Sequence, residues 1–373
     1  MHRLMAGVTI LEHELSELRL LVERQAGILL DCPNSALAAH VAEYLETHEL
    51  ESPAALIGQL RAADQDPSAL PKFLDGVLNS NTGFFRHPGA MHALARQVIP
   101  QLYSRKSDDV PSTLRIWSAG CSTGEEAYSI AMALCEALPG GNTNGNGNGN
   151  SASNGNGSSN GNGSRDAKEK NAAGRNGGIV ANGVPAPAEQ GMRDWSIHIV
   201  GSDLLPSAID VAERGLYPQS ALTGLPPAAI RACFSKIGSA NGAVNGGQEG
   251  PQNGNGNGNG NGNGTGNGSS NGAHLLVKPR LRSLVTFNTM NLTKPVYIGR
   301  FDCIFCMDVL PHLSRVQRTA LMERLHLYLE PGGYLFLSQT EKLCAPNLNF
   351  RSETFDGYTF HRKPLAASAA YGR

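Results

Sequence analysis

The 373-residue chain reads as an α/β protein, a Rossmann-like, mostly parallel sheet preceded by a small all-helical domain. Three observations predict this. Residues 115–132 (RIWSAGCSTGEEAYSIAM) run from a short β-prone stretch through a small-residue turn into an amphipathic helix. That order is the opening unit of a nucleotide-type βαβ site. Further short apolar runs, each followed by a helical period, recur at 196–214 and 300–329. Residues 9–75 instead carry apolar side chains at helical spacing.

In the N-terminal part, Ile10, Leu11, Leu15, Leu18 and Leu21 place a helix over 9–26, and further helices are predicted at 35–45 and 53–61. This helical domain is assigned to residues 1–78, and the ligand-binding domain to 79–373. In the opening βαβ unit the strand covers 115–118, the turn 119–124 and the helix 125 to about 138. Glycines let the backbone approach a ligand, and the helix start offers free N–H groups. Glu125 and Glu126 follow at once. Carboxylates there suit a ligand presenting hydroxyls or an ammonium group and argue against a diphosphate. The Gly-x-Gly-x-x-Gly pattern and the P-loop Lys-Ser/Thr are absent. Alone, this segment indicates an α/β ligand site, with a purely structural turn and helix as the alternative.

The second strand, 196–201 (SIHIVG), leads to Asp203. An acid at that place reaches the ribose hydroxyls of an adenosyl ligand. Asp203 is also placed to cap the helix at 206–214, and the two roles are compatible. Residues 284–287 are read as a strand. Residues 300–307 (RFDCIFCM) are almost continuously apolar, as expected for a strand buried on both faces. A helix at 315–329 follows, and Pro331-Gly332-Gly333 turns the chain into a strand at 334–338.

Composition bounds the function. The chain contains 44 glycines, many of them in two Asn/Gly/Ser tracts at 140–163 and 241–272. These tracts lack the apolar residues needed to offset ordering entropy, so they are expected to be disordered inserts, spanning about 140–194 and 238–273. Deleting 142–163 and 253–272 is expected to leave the melting temperature nearly unchanged; a large fall would show these tracts to be structured. The formal net charge of −1 points away from nucleic acid. No apolar run is long enough to span a membrane, and no signal peptide is apparent. Seven cysteines suit a reducing cytoplasm. Cys303 and Cys306, three apart on a strand, are expected to point to opposite faces and not to form a metal site. Cys121, in the ligand turn, is expected to be a solvent-accessible, small-residue packing position.

The order of elements looks like that of class I S-adenosylmethionine-dependent methyltransferases. Residues 81–132 and 196–342 resemble more closely the CheR-type enzymes, which methylate glutamates on bacterial chemotaxis receptors. Three blocks carry the resemblance: NTGFFRHP at 81–88, WSAGCSTGEEAYSIAM at 117–132, and 301–330 with its Pro-Gly-Gly turn. It implies a protein substrate, no nucleic acid, no membrane insertion and a monomer working in the cytoplasm. It implies that S-adenosylmethionine is held by Thr82, Arg86, Glu126, Asp203, Asn291, Leu292 and Asp308, with no metal. Arg86 is expected beside the methionine moiety and the reacting centre. Asn291-Leu292 are expected near the adenine, with a purely turn-shaping role for Asn291 before Pro295 as the alternative.

The chain also departs from the family. Ser80 stands where an asparagine is usual, leaving Asn79 or Asn81 to replace that contact. The usual Cys-Arg-Asn-Val-x-x-Tyr-Phe reads Cys306-Met307-Asp308-Val309-Leu310-Pro311-His312-Leu313. Asp308 keeps a hydrogen-bond acceptor and adds negative charge. His312, in the tyrosine's place, is a candidate base or a space filler. The helix that is basic in the family and docks on the receptor has no Lys or Arg between residues 31 and 50, where Asp31, Glu43, Glu46 and Glu49 stand instead. The leading expectation is a protein-glutamate O-methyltransferase. The alternatives are a class I methyltransferase with another acceptor and a cofactor-binding signalling module without catalysis.

Overall fold

The computed structural model describes residues 10–62, 66–78, 82–106, 113–137, 195–237, 274–296, 298–345 and 347–365. The two tracts read as inserts, and the alternative contacts Asn79, Ser80 and Asn81, lie outside these residues.

Four helices come first: α1 (Glu12–Ala26), α2 (Asn34–Thr47), α3 (Pro53–Arg61) and α4 (Ala69–Val77). α1 opens on a reciprocal cap in which the Leu11 N–H donates to the Glu14 carboxylate at 2.8 Å. It ends on Gly27, whose φ of 73° is the left-handed conformation that glycine adopts without strain. The Ser52 side chain caps α3 by accepting from the Ala55 N–H, with Pro53 at the first helical position. Their apolar faces meet around Leu18, Leu37, Val41, Leu56 and Phe73. α5 (Pro88–Ala93) continues through a π-turn at Leu94–Val98 into α6 (Ile99–Lys106).

The large sheet then begins with β1 (Thr113–Ala119), α7 (Glu125–Ala137), β2 (Ser196–Asp203) and α8 (Pro206–Arg214). A small antiparallel module follows: β3 (Leu216–Pro218), α9 (Pro227–Cys233), β4 (Phe234–Lys236) and β5 (His274–Val277). α10 (Pro279–Arg282) leads to β6 (Val285–Thr289) and β7 (Phe301–Phe305). α11 (Arg315–Tyr328), β8 (Leu329–Phe336), β9 (Arg351–Phe355) and β10 (Tyr358–Arg362) complete the described elements.

The large sheet has the order β6-β2-β1-β7-β8-β10-β9. β6, β2, β1, β7 and β8 are parallel, and β10 joins the edge antiparallel. Chain order runs outward from β1 to β2 and β6, then returns to β7 on the other side. That reversal is the topological switch point, where α/β sheets open a crevice beyond their carboxyl ends.

Both faces of the sheet are covered, which explains the almost continuously apolar run at 300–307; its buried acid, Asp302, is paired with Lys106. Leu114, Ile116, Cys303 and Phe305 face one core, with α5 and α7. Trp117, Phe301, Ile304 and Cys306 face the other, shared with the N-terminal helices and α11. Cys303 and Cys306 therefore lie in different cores, as period-2 alternation demands.

Two expectations are corrected. β8 begins at Leu329, before the Pro-Gly-Gly turn, because that turn is an irregularity inside the strand. Phe301 pairs with Leu329 and Cys303 with Tyr334, so the intervening residues bulge. Gly332 at φ 77° permits it. Cys121 is buried, at 1% exposure, and not accessible. It packs beside Gly201, where an added Cβ would stand 3.2 Å from its sulfur. Burial holds its thiol well above the ordinary range, which removes it as a nucleophile.

Candidate active site

A cavity of about 240 Å³ opens at the switch point. It is lined by the turn after β1, the ends of β2, β6 and β7, and the stretch from Thr82 to His87 before α5. The loop after α1 adds Ile28. All eight site residues expected from sequence, namely Thr82, Arg86, Glu126, Asp203, Asn291, Leu292, Asp308 and His312, border this one cavity.

Backbone strain concentrates here. Phe85, Ser122 and Asp308 have φ of 51°, 48° and 59°, and each lines the cavity. Non-glycine residues persist in this region only where the surroundings over-determine them, a pattern common at functional sites. The Phe85 N–H donates to Ser129 Oγ at 2.9 Å, and that hydroxyl donates to the Glu125 carbonyl of α7. The Asp308 N–H donates to Glu341 Oε2 at 3.1 Å, and the Leu310 N–H to Oε1 at 2.9 Å. The β1 turn is held by the Gly120 and Cys121 N–H groups, which donate to the Ser202 carbonyl. Gly124 has φ 94°, and a Cβ there would lie 2.7 Å from the Ala212 Cβ and 3.1 Å from its Cα. Gly124→Ala is therefore expected to cost about 1–3 kcal/mol of stability, read as a lower melting temperature.

Asp203 is anchored on both oxygens. Oδ2 accepts the Ser122 N–H at 2.9 Å and Oδ1 the Leu205 N–H at 3.0 Å. It thus ties the β1 turn to the start of α8, but the residue at the N-cap of α8 is Leu205. Each carboxylate oxygen has a second lone pair, so capacity remains for ligand hydroxyls. Burial raises its pKa from the ordinary value. Glu126 accepts the Ser118 hydroxyl on Oε1 at 2.6 Å. Desolvation pushes its carboxyl up to about 7, with Asp308 and Glu341 adding to the rise and Arg86 opposing it. Glu125, beside it, accepts from Thr123 Oγ1 at 2.7 Å and from Thr82 Oγ1 at 3.5 Å, which holds Thr82 against α7.

Asn291 departs from the simple expectation. Its amide nitrogen donates to the Ala26 carbonyl at 3.2 Å, and its oxygen accepts both the N–H and the hydroxyl of Thr293. The side chain therefore shapes its own loop and ties it to the end of α1. Arg324 holds the same loop through the Leu292 and Thr293 carbonyls. His312 is exposed in a short 3-10 turn, and its carbonyl accepts the Leu29 N–H at 2.8 Å. Met307 is buried and lines the cavity in place of the family arginine.

The sequence reading missed two polar residues. His87 Nε2 donates to Asp308 Oδ2 at 2.8 Å, and Arg86 Nε lies 3.4 Å from the same oxygen. Glu341 supports the Met307–Leu310 turn from 31–33 residues away in sequence. His87 stood inside the 81–88 block, next to Arg86. Nothing local marked Glu341, because its role exists only once β7 and β8 are side by side.

This lining fits S-adenosylmethionine. Glu126, Asp203 and Asp308 outnumber the single guanidinium, Arg86, so the cavity favours a ligand with cationic and hydroxyl groups. Ser122 Oγ is buried with no hydrogen-bond partner, an orphan a bound polar group would satisfy. Met290, Leu292, Leu204 and Ile28 add an apolar wall suited to an aromatic base. Among the described residues no cluster of side chains could hold a metal ion.

Sequence comparison with known proteins agrees. Residues 80–145 and 267–358 match the family described as the CheR methyltransferase, SAM binding domain. Chemotaxis protein methyltransferase 1 of Pseudomonas aeruginosa is 25% identical over 349 residues, 90% of this chain and 96% of the relative. Chemotaxis protein methyltransferase Cher2 of Pseudomonas putida is 23% identical over 91% of this chain and 98% of its own. A solved magnesium protoporphyrin IX methyltransferase from Synechocystis, with bound S-adenosylmethionine, covers 76% of this chain and 84% of its own at 12% identity, with a TM-score of 0.27. The matched segments include the β1 turn, α7, the β6 and β7 loops and the Glu341 support, all of which build the cavity. The chain thus carries the S-adenosylmethionine-binding domain of a CheR-type methyltransferase.

Proposed function

We propose that this enzyme transfers the methyl group of S-adenosylmethionine to glutamate carboxylates of a chemotaxis-receptor-like protein, making a methyl ester. The observation that carries the acceptor is Arg86, half-exposed and bordering an otherwise acidic cavity. A guanidinium there holds an incoming carboxylate where the acids alone would repel it.

The bound cofactor supplies an electrophilic methyl group. The residues around it bind and orient. Asp203 and the β1 turn take the ribose hydroxyls, Thr82 and Arg86 take the methionine end, and Glu126 and Asp308 face the cationic groups. The Asn291–Leu292 loop takes the adenine. A glutamate is already ionised at neutral pH, so the work is placement of the nucleophile and not proton removal. In this reading residues 1–78 form the helical domain and 79–373 the methyltransferase domain. The enzyme acts as a cytoplasmic monomer on a protein substrate, without nucleic acid. Among the described residues no helix is long and apolar enough to cross a membrane.

A second acceptor class is favoured by two observations, the exposed His312 in the tyrosine's place and the acidic α2 segment. Methyl label from the cofactor decides between them. Incorporation into receptor fragments from the same genome, released as methanol by mild alkali, supports the ester. Alkali-stable label identifies another nucleophile, and cofactor binding without label on any acceptor identifies a non-catalytic module.

His312 gives a related expectation. For a carboxylate acceptor, His312→Tyr keeps or raises turnover, and the wild-type pH–rate profile at saturating S-adenosylmethionine is flat around neutrality. If His312 is a base for a protonated nucleophile, the same change lowers turnover.

A further inference from the structure

We propose that His87 is a positioning residue for methyl transfer, which turns the Asp308 carboxylate so that its Oδ1 is left for the cationic end of S-adenosylmethionine. The proposal rests on the cofactor site described above. Its observation is a convergence of donors on one atom. His87 Nε2 at 2.8 Å and Arg86 Nε at 3.4 Å both address Asp308 Oδ2. Among the described residues Oδ1 accepts no hydrogen bond, although Asp308 lines the cavity. The backbone of Asp308 is fixed independently, with φ 59° and its N–H on Glu341. The two side-chain torsions therefore remain, and the His87 hydrogen bond together with the Arg86 ion pair sets them.

The placement of His87 is itself secured. It is the N-cap residue of α5, and its carbonyl accepts the Ala90 and Met91 N–H groups. Two residues earlier, Phe85 is clamped to Ser129 of α7. The ring is 22% exposed and the Asp308 side chain 33%, so the pair is partly shielded from water. Arg86 does not substitute for it, because its contact is longer and its side chain more exposed. The hydrogen bond needs a donor at the Nε2 position and stands with the imidazole neutral or protonated.

The test compares His87→Asn with His87→Gln. An asparagine amide is too short to reach Oδ2, whereas a glutamine amide occupies the Nε2 position. Calorimetry is run with S-adenosylmethionine and with methylthioadenosine, which keeps the adenosyl part and lacks the charged end. The expected result is a roughly tenfold weaker S-adenosylmethionine affinity in His87→Asn, with methylthioadenosine unchanged and His87→Gln within about threefold of wild type. Wild-type affinity in His87→Asn overturns the proposal. An equal loss for both ligands also overturns it, because that is structural damage. If His87→Asn does not fold, His87→Gln still decides, since loss of its S-adenosylmethionine affinity alone contradicts a donor-only role. Failure of the wild type to bind S-adenosylmethionine overturns the cofactor site itself, and the proposal with it.

Discussion

Asp203→Ala is expected to weaken S-adenosylmethionine binding by roughly 10–100-fold, the largest effect of any single substitution in the site. Two losses combine. The ligand hydroxyls lose a charged acceptor worth about 1.5–3 kcal/mol. The N–H groups of Ser122 and Leu205 lose their partner as well, which loosens the β1 turn and the start of α8 together. Asp203→Asn separates these contributions, because its amide oxygen can still accept one of the two backbone bonds. It is expected to recover part of the stability and little of the affinity. Glu126→Ala acts on the other end of the cavity and is expected to be comparably damaging. Unchanged affinity in both variants, measured by calorimetry, would displace the cofactor from this cavity.

The second large effect is pH dependence of cofactor binding through Glu126. Its carboxyl sits at about 7 because burial disfavours the charged form, and Asp308 and Glu341 reinforce that. A ligand bringing positive charge favours the ionised form, so binding below pH 7 must first expel a proton. Affinity is expected to rise about tenfold from pH 6 to pH 8, with proton release visible as a buffer-dependent binding enthalpy. Glu126→Gln is expected to flatten that slope and to lose affinity mainly at the high-pH end. The apo protein carries the opposite sign. The folded state holds this proton more tightly than the unfolded chain does. Apo stability is therefore expected to fall as pH rises from the ordinary carboxylate range through 7, then to level off. Burial also raises Glu125 and Asp203, which adds to the same trend. A binding isotherm independent of pH in the wild type would remove Glu126 from the cationic end of the site.

Arg86→Ala should lower turnover without changing the shape of the kcat pH profile, because a guanidinium positions charge and shuttles no proton. It should move the Glu126-dependent rise in cofactor affinity to higher pH, because the Arg86 charge opposes the upward shift of that carboxyl. A kcat loss with a distorted pH profile would instead point to rearrangement of the Asp308 carboxylate, which Arg86 shares with His87.

The acidic α2 segment bears on the acceptor and leaves the methyl-transfer chemistry intact. α2 (Asn34–Thr47) contributes its buried face, Leu37, Val41, Tyr44 and Leu45, to the N-terminal core. His40, one of its two potential cations along with His48, donates from Nε2 to the Phe73 carbonyl at 2.8 Å. Any receptor segment docking on this helix therefore meets Glu43 and Glu46, and a basic or neutral partner face is favoured over an acidic one.

Local pattern determined the parts of this protein that depend on neighbouring residues alone. The β1–turn–α7 unit is contiguous, so its strand, glycine turn and helix start are written side by side. α8 at Pro206–Arg214 and α3 at Pro53–Arg61 were legible from their opening prolines and apolar spacing. Burial on both faces explained β7 before any partner strand was known. Tertiary structure decided what depends on residues far apart in sequence. The small β3-β5-β4 module is short and partnered across long intervals, whereas the β9–β10 hairpin is local, closed by the two-residue turn Asp356-Gly357 that the sequence itself spells out. Asn291 reads in sequence as a residue near the adenine or as one that shapes its turn, and its amide also reaches across 265 residues to the Ala26 carbonyl at the end of α1. His87 and Asp308, 221 residues apart, became a pair only when α5 and the β7 turn met at the switch point. A motif names the atoms that touch a cofactor. The second layer that aims those atoms is built by hydrogen bonds between distant segments, and folding brings those segments together.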